Sequence, residues 1–101
     1  MTEFVQIIDF RTSRIDEVQA LGDAYRAARS AEGGTAVVRA VVTADRDDPG
    51  RYLNIIEFDS YESAMENSAR PETDAFAGRL AALCDGPPTF LNLDVRFTWD
   101  D

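Results

Sequence analysis

The stretch LNIIEFDSYESAMENSARPETDAFAGRLAAL, residues 53–83, decides the fold. Its first six residues, Leu53 to Phe58, are dominated by large apolar side chains and read as a strand. Asp59-Ser60 turns the chain, and Ser60 is a good N-cap for a short helix from Tyr61 to about Ala69. Pro71 disfavours helical geometry at Arg70, so that helix breaks there. The same proline fits the first position of a new helix, with Glu72 and Asp74 in the first turn where the helix dipole favours acids. Phe76, Leu80, Leu83 and Cys84 give the second piece an apolar face, and Gly86-Pro87-Pro88 stops it. Two helix pieces joined at a proline cannot both lie flat on a sheet. A gap is expected between them and the sheet.

Toward the N-terminus, Glu3 to Phe10 reads as a first strand. Phe4, Gln6, Ile8 and Phe10 fall on one face, Val5, Ile7 and Asp9 on the other. Both faces are largely apolar, which predicts a central strand covered on both sides. Thr12 or Ser13 offers an N-cap for a first helix carrying Ile15, Val18, Leu21, Gly22, Tyr25 and Ala28 at helical spacing. It runs to about Ala31, with Gly33-Gly34 as its stop. Thr35 to Ala44 is rich in β-branched residues and predicts a second strand. Residues 45–50 form a turn in which Gly50 supplies a positive φ, and the third strand returns from Arg51 as a hairpin. Thr89 to Trp99 reads as the last strand, with Leu91, Leu93, Val95, Phe97 and Trp99 on one face and Phe90, Asn92, Asp94 and Arg96 on the other. The order β-α-β-β-α-β, with its second helix in two pieces, predicts an α+β, ferredoxin-like domain: an antiparallel sheet with helices on one face. The uncovered face is apolar, and a second copy of the chain is its expected cover.

At 101 residues the chain has room for one domain, residues 1–101. Nineteen acids against ten bases give a net charge of −9, which repels nucleic-acid phosphates and anionic membranes. No apolar run approaches the roughly 20 residues of a membrane helix. The single cysteine, Cys84, fits a reducing cytoplasm and is expected to pack rather than react. The chain contains no histidine, the commonest general base and metal ligand, so zinc, haem and other cofactors are not expected.

The segment Glu57-Phe58-Asp59-Ser60-Tyr61-Glu62-Ser63-Ala64-Met65-Glu66-Asn67 resembles the dimeric α/β-barrel proteins of the antibiotic-biosynthesis-monooxygenase type. The likeness rests on a strand-end Glu plus aromatic, then a helix with an acid, an Ala and a large apolar residue. The resemblance implies a homodimer with two sheets facing each other and a pocket in each subunit between sheet and broken helix. It also implies relatives that include cofactor-free oxygenases of aromatic compounds and haem-degrading enzymes. Where the haem-degrading branch has an iron-binding histidine this chain has Phe76; Asn67 stands near that branch's tryptophan and Gln6 near its asparagine. The expected function is a cofactor-independent monooxygenase acting on a small aromatic or enolisable compound; the alternative is a non-catalytic binding or accessory protein on the same barrel.

Six residues are candidates for such a ligand site. Asn67, in the pocket region, has an amide that both donates and accepts and suits a phenol or quinone oxygen. Gln6 and Asn54 place amides on strands, where they would line a polar patch in an apolar cavity. Arg39, between Val37 and Val41, must snorkel, face a ligand or pair with an acid, Asp94 or Glu57. Glu57 shares an apolar alternation with Leu53 and Ile55, where burial would make it a base. Phe76 is expected to supply apolar wall.

Overall fold

The structure, a computed structural model, describes residues 2–31 and 37–99. The Gly33-Gly34 stop, the start of the expected second strand and the acidic C-terminal pair lie outside the described residues. The elements are β1 (Phe4–Arg11), α1 (Ile15–Ala31), β2 (Val37–Ala44), β3 (Arg51–Phe58), α2 (Tyr61–Ser68), α3 (Pro71–Leu83) and β4 (Thr89–Asp94). The four strands form one antiparallel sheet in the order β2-β3-β1-β4. This is the expected α+β ferredoxin-like topology, with its second helix broken.

The local signals act as their chemistry dictates. Gly50 takes a φ of 91°, and the Arg51 N–H donates to the Asp48 carbonyl across the turn at 3.1 Å. Ser60 is extended, and its Oγ accepts the Ser63 N–H at 3.1 Å. Such a cap is worth about 1 kcal/mol. Arg70 is held extended (φ −73°, ψ 138°) ahead of Pro71, which opens α3.

Three expectations change. Helix α1 begins at Ile15, because buried Thr12 is used elsewhere: its Oγ1 accepts the Arg14 N–H at 2.9 Å and donates to the Leu83 carbonyl at 2.6 Å. Thr12 thus ties the entrance of α1 to the end of α3. The last strand stops at Asp94, not Trp99. Its neighbour among the described residues, β1, starts at Phe4 opposite Asp94, and beyond the Val95 N–H bond to the Glu3 carbonyl no described strand remains to pair with. Phe97 and Trp99 instead pack edge-to-face, centroids 4.7 Å apart, and stay 70% and 81% exposed. The third change is in β2, where Val37 lies opposite Phe58 but Arg39 lies opposite Glu57, a register shift at Val38.

The core lies between sheet and helices in two clusters. Ile8, Phe10, Val18 and Leu80 form one, with Phe76, Leu83 and Cys84 packed against it. Phe4, Phe58 and Ala64 form the other, which seats α2. Burying a side chain such as Phe58 or Leu80 contributes about 1.5–3 kcal/mol. By register, the opposite sheet face carries Val5, Ile7, Val41, Leu53, Ile55, Leu91 and Leu93. One end of that face carries the Arg39–Glu57 ion pair at 3.7 Å. The other carries Arg51, bonded to Asp9 at 2.8 Å and to Asp45 at 3.0 Å.

Candidate functional site

The break at Pro71 leaves a cavity of about 640 Å³ between the helix face of the sheet and the helices. Gln6, Ile8 and Phe10 from β1, Tyr52, Asn54 and Ile56 from β3, and Ala40 and Val42 from β2 form its floor. Val18, Gly22 and Tyr25 from α1 face Asn67 of α2 and Thr73, Phe76 and Leu80 of α3. Gly22 belongs to the wall in a specific way: a Cβ added there would meet no atom within 4 Å.

Most of the lining is apolar, and its polar groups fall into two kinds. Some are engaged. The Tyr25 hydroxyl lies 2.8 Å from Thr73 Oγ1, joining α1 to α3 across the cavity wall, and the Tyr25 ring packs on Phe76 at 4.7 Å. Gln6 Nε2 donates to Asn92 Oδ1 at 3.1 Å. Two buried amide oxygens are not engaged. Asn54 Oδ1 and Asn67 Oδ1 are both sealed from solvent and have no hydrogen-bond partner among the described residues. Asn67 is only 8% exposed, so it lies inside the protein rather than at the mouth. A buried carbonyl oxygen without a donor costs about 1–3 kcal/mol.

The titratable groups with displaced pKa values lie elsewhere. The hydrogen bond from Arg51 holds the Asp9 carboxyl below the usual aspartate range against the opposing effect of burial, and Arg11 does the same for Asp48. Burial, with Asp85 nearby, pushes the Cys84 thiol up, so it stays protonated and packs against the core. The carboxylates that border the cavity, Asp23 and Asp74, are exposed.

No family model matches the sequence, and no curated protein matches it. Solved structures do. SnoaB, a cofactor-independent oxygenase from Streptomyces nogalater, superposes over 100% of both chains with a TM-score of 0.74 at 20% identity, and a mutant of it with 0.80 at 18%. An antibiotic biosynthesis monooxygenase matches over 92% of this chain and 98% of its own, with a TM-score of 0.69 and 17% identity. Rv0793 from Mycobacterium tuberculosis matches over 98% and 100%, with a TM-score of 0.75 and 16% identity. The chain shares the fold of these proteins.

In this fold the six candidate residues separate into two groups. Gln6, Asn54, Asn67 and Phe76 all line the cavity, Phe76 as apolar wall against Leu80 and Tyr25. Arg39 and Glu57 lie on the opposite sheet face, paired to each other and away from the cavity. Asp94, the other acid considered for Arg39, sits on the far edge strand in register with Phe4, on the helix face. Arg39 misses the cavity because it shares the register of Val41, opposite Glu57 and Ile55; the bulge at Val38 changes the facing of Val37. It puts Val37 on the helix face with the core, while Arg39 and Val41 stay on the other. Sequence reasoning missed the Tyr25–Thr73 pair and Phe90, an edge-strand residue that lines the cavity. Thr73, in the first turn of α3, has a position legible from Pro71, but its partner is 48 residues away.

Proposed function

We propose that the protein is a cofactor-independent monooxygenase-like protein acting on a small aromatic or enolisable compound held in the 640 Å³ cavity. The observation that carries this reading is a largely apolar chamber bordered by two buried amide side chains, Asn54 and Asn67, whose oxygens have no hydrogen-bond partner among the described residues. Such a chamber binds a planar body by ring burial and orients it by a few hydrogen bonds. A substrate that loses a proton becomes electron-rich enough to react with dioxygen directly. The carbanion carbon bonds one oxygen of dioxygen to give a hydroperoxide; O–O cleavage with loss of the second hydrogen on that carbon leaves a carbonyl and releases water, so the substrate itself supplies both hydrogens and all four electrons. The protein's part is to orient the ring, exclude water and stabilise the anion. The shared fold with SnoaB supports the reading by analogy.

A second reading is a non-catalytic binding or accessory protein. It is favoured by the cavity's carboxylates, Asp23 and Asp74: both are exposed, so neither has the buried setting that turns a carboxylate into a strong base. An oxygen electrode with a panel of fused hydroxyaromatic compounds separates the two. Uptake proportional to protein, and lost in Asn67→Leu, supports the oxygenase. Binding without uptake above the buffer rate supports the accessory role.

The working unit in this proposal is a homodimer in the cytoplasm. Val5, Ile7, Val41, Leu53, Ile55, Leu91 and Leu93 make a stripe on the helix-free face, and the Phe97–Trp99 pair follows it. A second copy would cover that stripe. Light scattering at micromolar concentration is expected to give twice the chain mass; a monomer mass refutes the dimer.

A further inference from the structure

We infer that the Tyr25–Thr73 hydroxyl pair is the oxyanion donor of the cavity: it gives a hydrogen bond to the oxygen on which a phenolate or enolate ligand carries its charge. The inference rests on the ligand-pocket reading above and names the groups that stabilise an anion there. Two hydroxyls 2.8 Å apart hold two hydrogens and use one of them for the bond between them. Whichever oxygen donates to the other, one hydrogen is left over. Both residues are part-buried, and both line the cavity. Packing of the Tyr25 ring on Phe76 at 4.7 Å and the seat of Thr73 in the first turn of α3 hold the pair at the seam of two helices. A hydroxyl that accepts one hydrogen bond is polarised into a stronger donor of the next.

Coulombic attraction does not supply the same stabilisation. The charged side chains on the lining are Asp23 and Arg26 of α1 and Asp74 of α3, all exposed and with one acid in surplus. Glu72, beside Thr73, is shared between Arg29 and Arg70 off the lining. The sheet and α2 bring no charged group to the lining, and Tyr52 is the one titratable side chain they add. An anion in this chamber is therefore held by neutral donors and is costly without them. The amides of Asn54 and Asn67 each carry a donor beside an acceptor, so they serve a hydroxyl or a carbonyl alike. Among the described residues, Tyr25 and Thr73 are the lining side chains bonded to each other, which makes theirs the polarised hydrogen.

The test reads the ionisation of a nitronaphthol in the cavity. This planar phenol has a coloured anion, and its proton passes to the buffer, so absorbance against pH gives the ionisation constant of the bound form. Tyr25→Phe combined with Thr73→Val is expected to lower that constant at least about tenfold, the value of one hydrogen bond to a charged oxygen. Each single change should lower it too, because each breaks the polarised chain, and Thr73→Ser should keep the wild-type value. The difference should persist at high salt, where a contribution from exposed Arg26 is screened. Circular dichroism melts establish which variants are folded, and the single changes carry the same reading if the double one is not. An unchanged constant in folded variants that bind the probe, a loss confined to one of the two single changes, or a difference that salt abolishes overturns the inference and leaves the ligand pocket standing. No binding of the probe by folded wild-type protein overturns the pocket reading, and this inference with it.

Discussion

Gly22 and Gly78 make a matched pair of perturbations. Both are interior to helices, Gly22 in α1 and Gly78 in α3, and a Cβ added at either meets nothing within 4 Å. Glycine in a helix interior costs about 0.8–1 kcal/mol relative to alanine. Each Gly→Ala change is therefore expected to stabilise by close to that amount, which for a domain of this size raises Tm by about 4–8 °C. The two positions differ in one respect: Gly22 lines the cavity and Gly78 does not. Replacement by leucine separates them. Gly22→Leu places a side chain in the chamber and should weaken binding of a fused hydroxyaromatic compound at least about tenfold, whereas Gly78→Leu should leave it unchanged. Thermal melts at fixed protein concentration read the first effect and calorimetry the second. A destabilising Gly22→Ala beside a stabilising Gly78→Ala would refute the open space at Gly22. Undiminished binding in Gly22→Leu would place the ligand somewhere other than this cavity.

Three further outcomes are expected. Ser60→Ala removes the acceptor for the Ser63 N–H and should cost about 1 kcal/mol by denaturant titration, with Ser60→Gly costing less. Asp9 is held below its ordinary pKa by the hydrogen bond from Arg51, so its stabilisation is fully present above about pH 4 and is lost as pH falls through the lower folded value. Arg51→Gln should flatten that acid limb of a stability–pH curve, and an unchanged limb would show the pair contributes nothing. Cys84, with its thiol pKa raised by burial, should be alkylated at neutral pH far more slowly than a free thiol and at the free rate once unfolded.

The fold was legible because its punctuation is local. Pro71, Ser60 and Gly50 each act within a few residues, and each does in the structure what its chemistry requires. The amides of Gln6, Asn54 and Asn67 stood out for a related reason: an amide on an apolar strand or helix face needs a partner. Illegible were features set by what lies opposite in space. The Val38 bulge reverses the facing of Arg39 relative to Val37, although a simple alternation groups them. The Phe97–Trp99 segment keeps a strand's periodicity after its neighbour strand has run out. Arg29, on the exposed-looking end of α1, is buried through the packing of α1 on α3, with Nε and Nη1 making no hydrogen bond among the described residues and Nη1 4.0 Å from Glu72 Oε2.

The edge strand β4 has a colloidal consequence. Every residue of β4 is exposed, its outer backbone edge pairs with no strand among the described residues, and Phe90, Leu91 and Leu93 give it apolar surface on both faces. Such an edge is a template for adding a foreign strand. At neutral pH the net charge of −9 keeps copies apart before the edges can meet. Toward the isoelectric point, about 4.3, that repulsion vanishes while the edge remains. The acidity of the whole chain thus acts as the guard of one strand, and mild acid removes the guard.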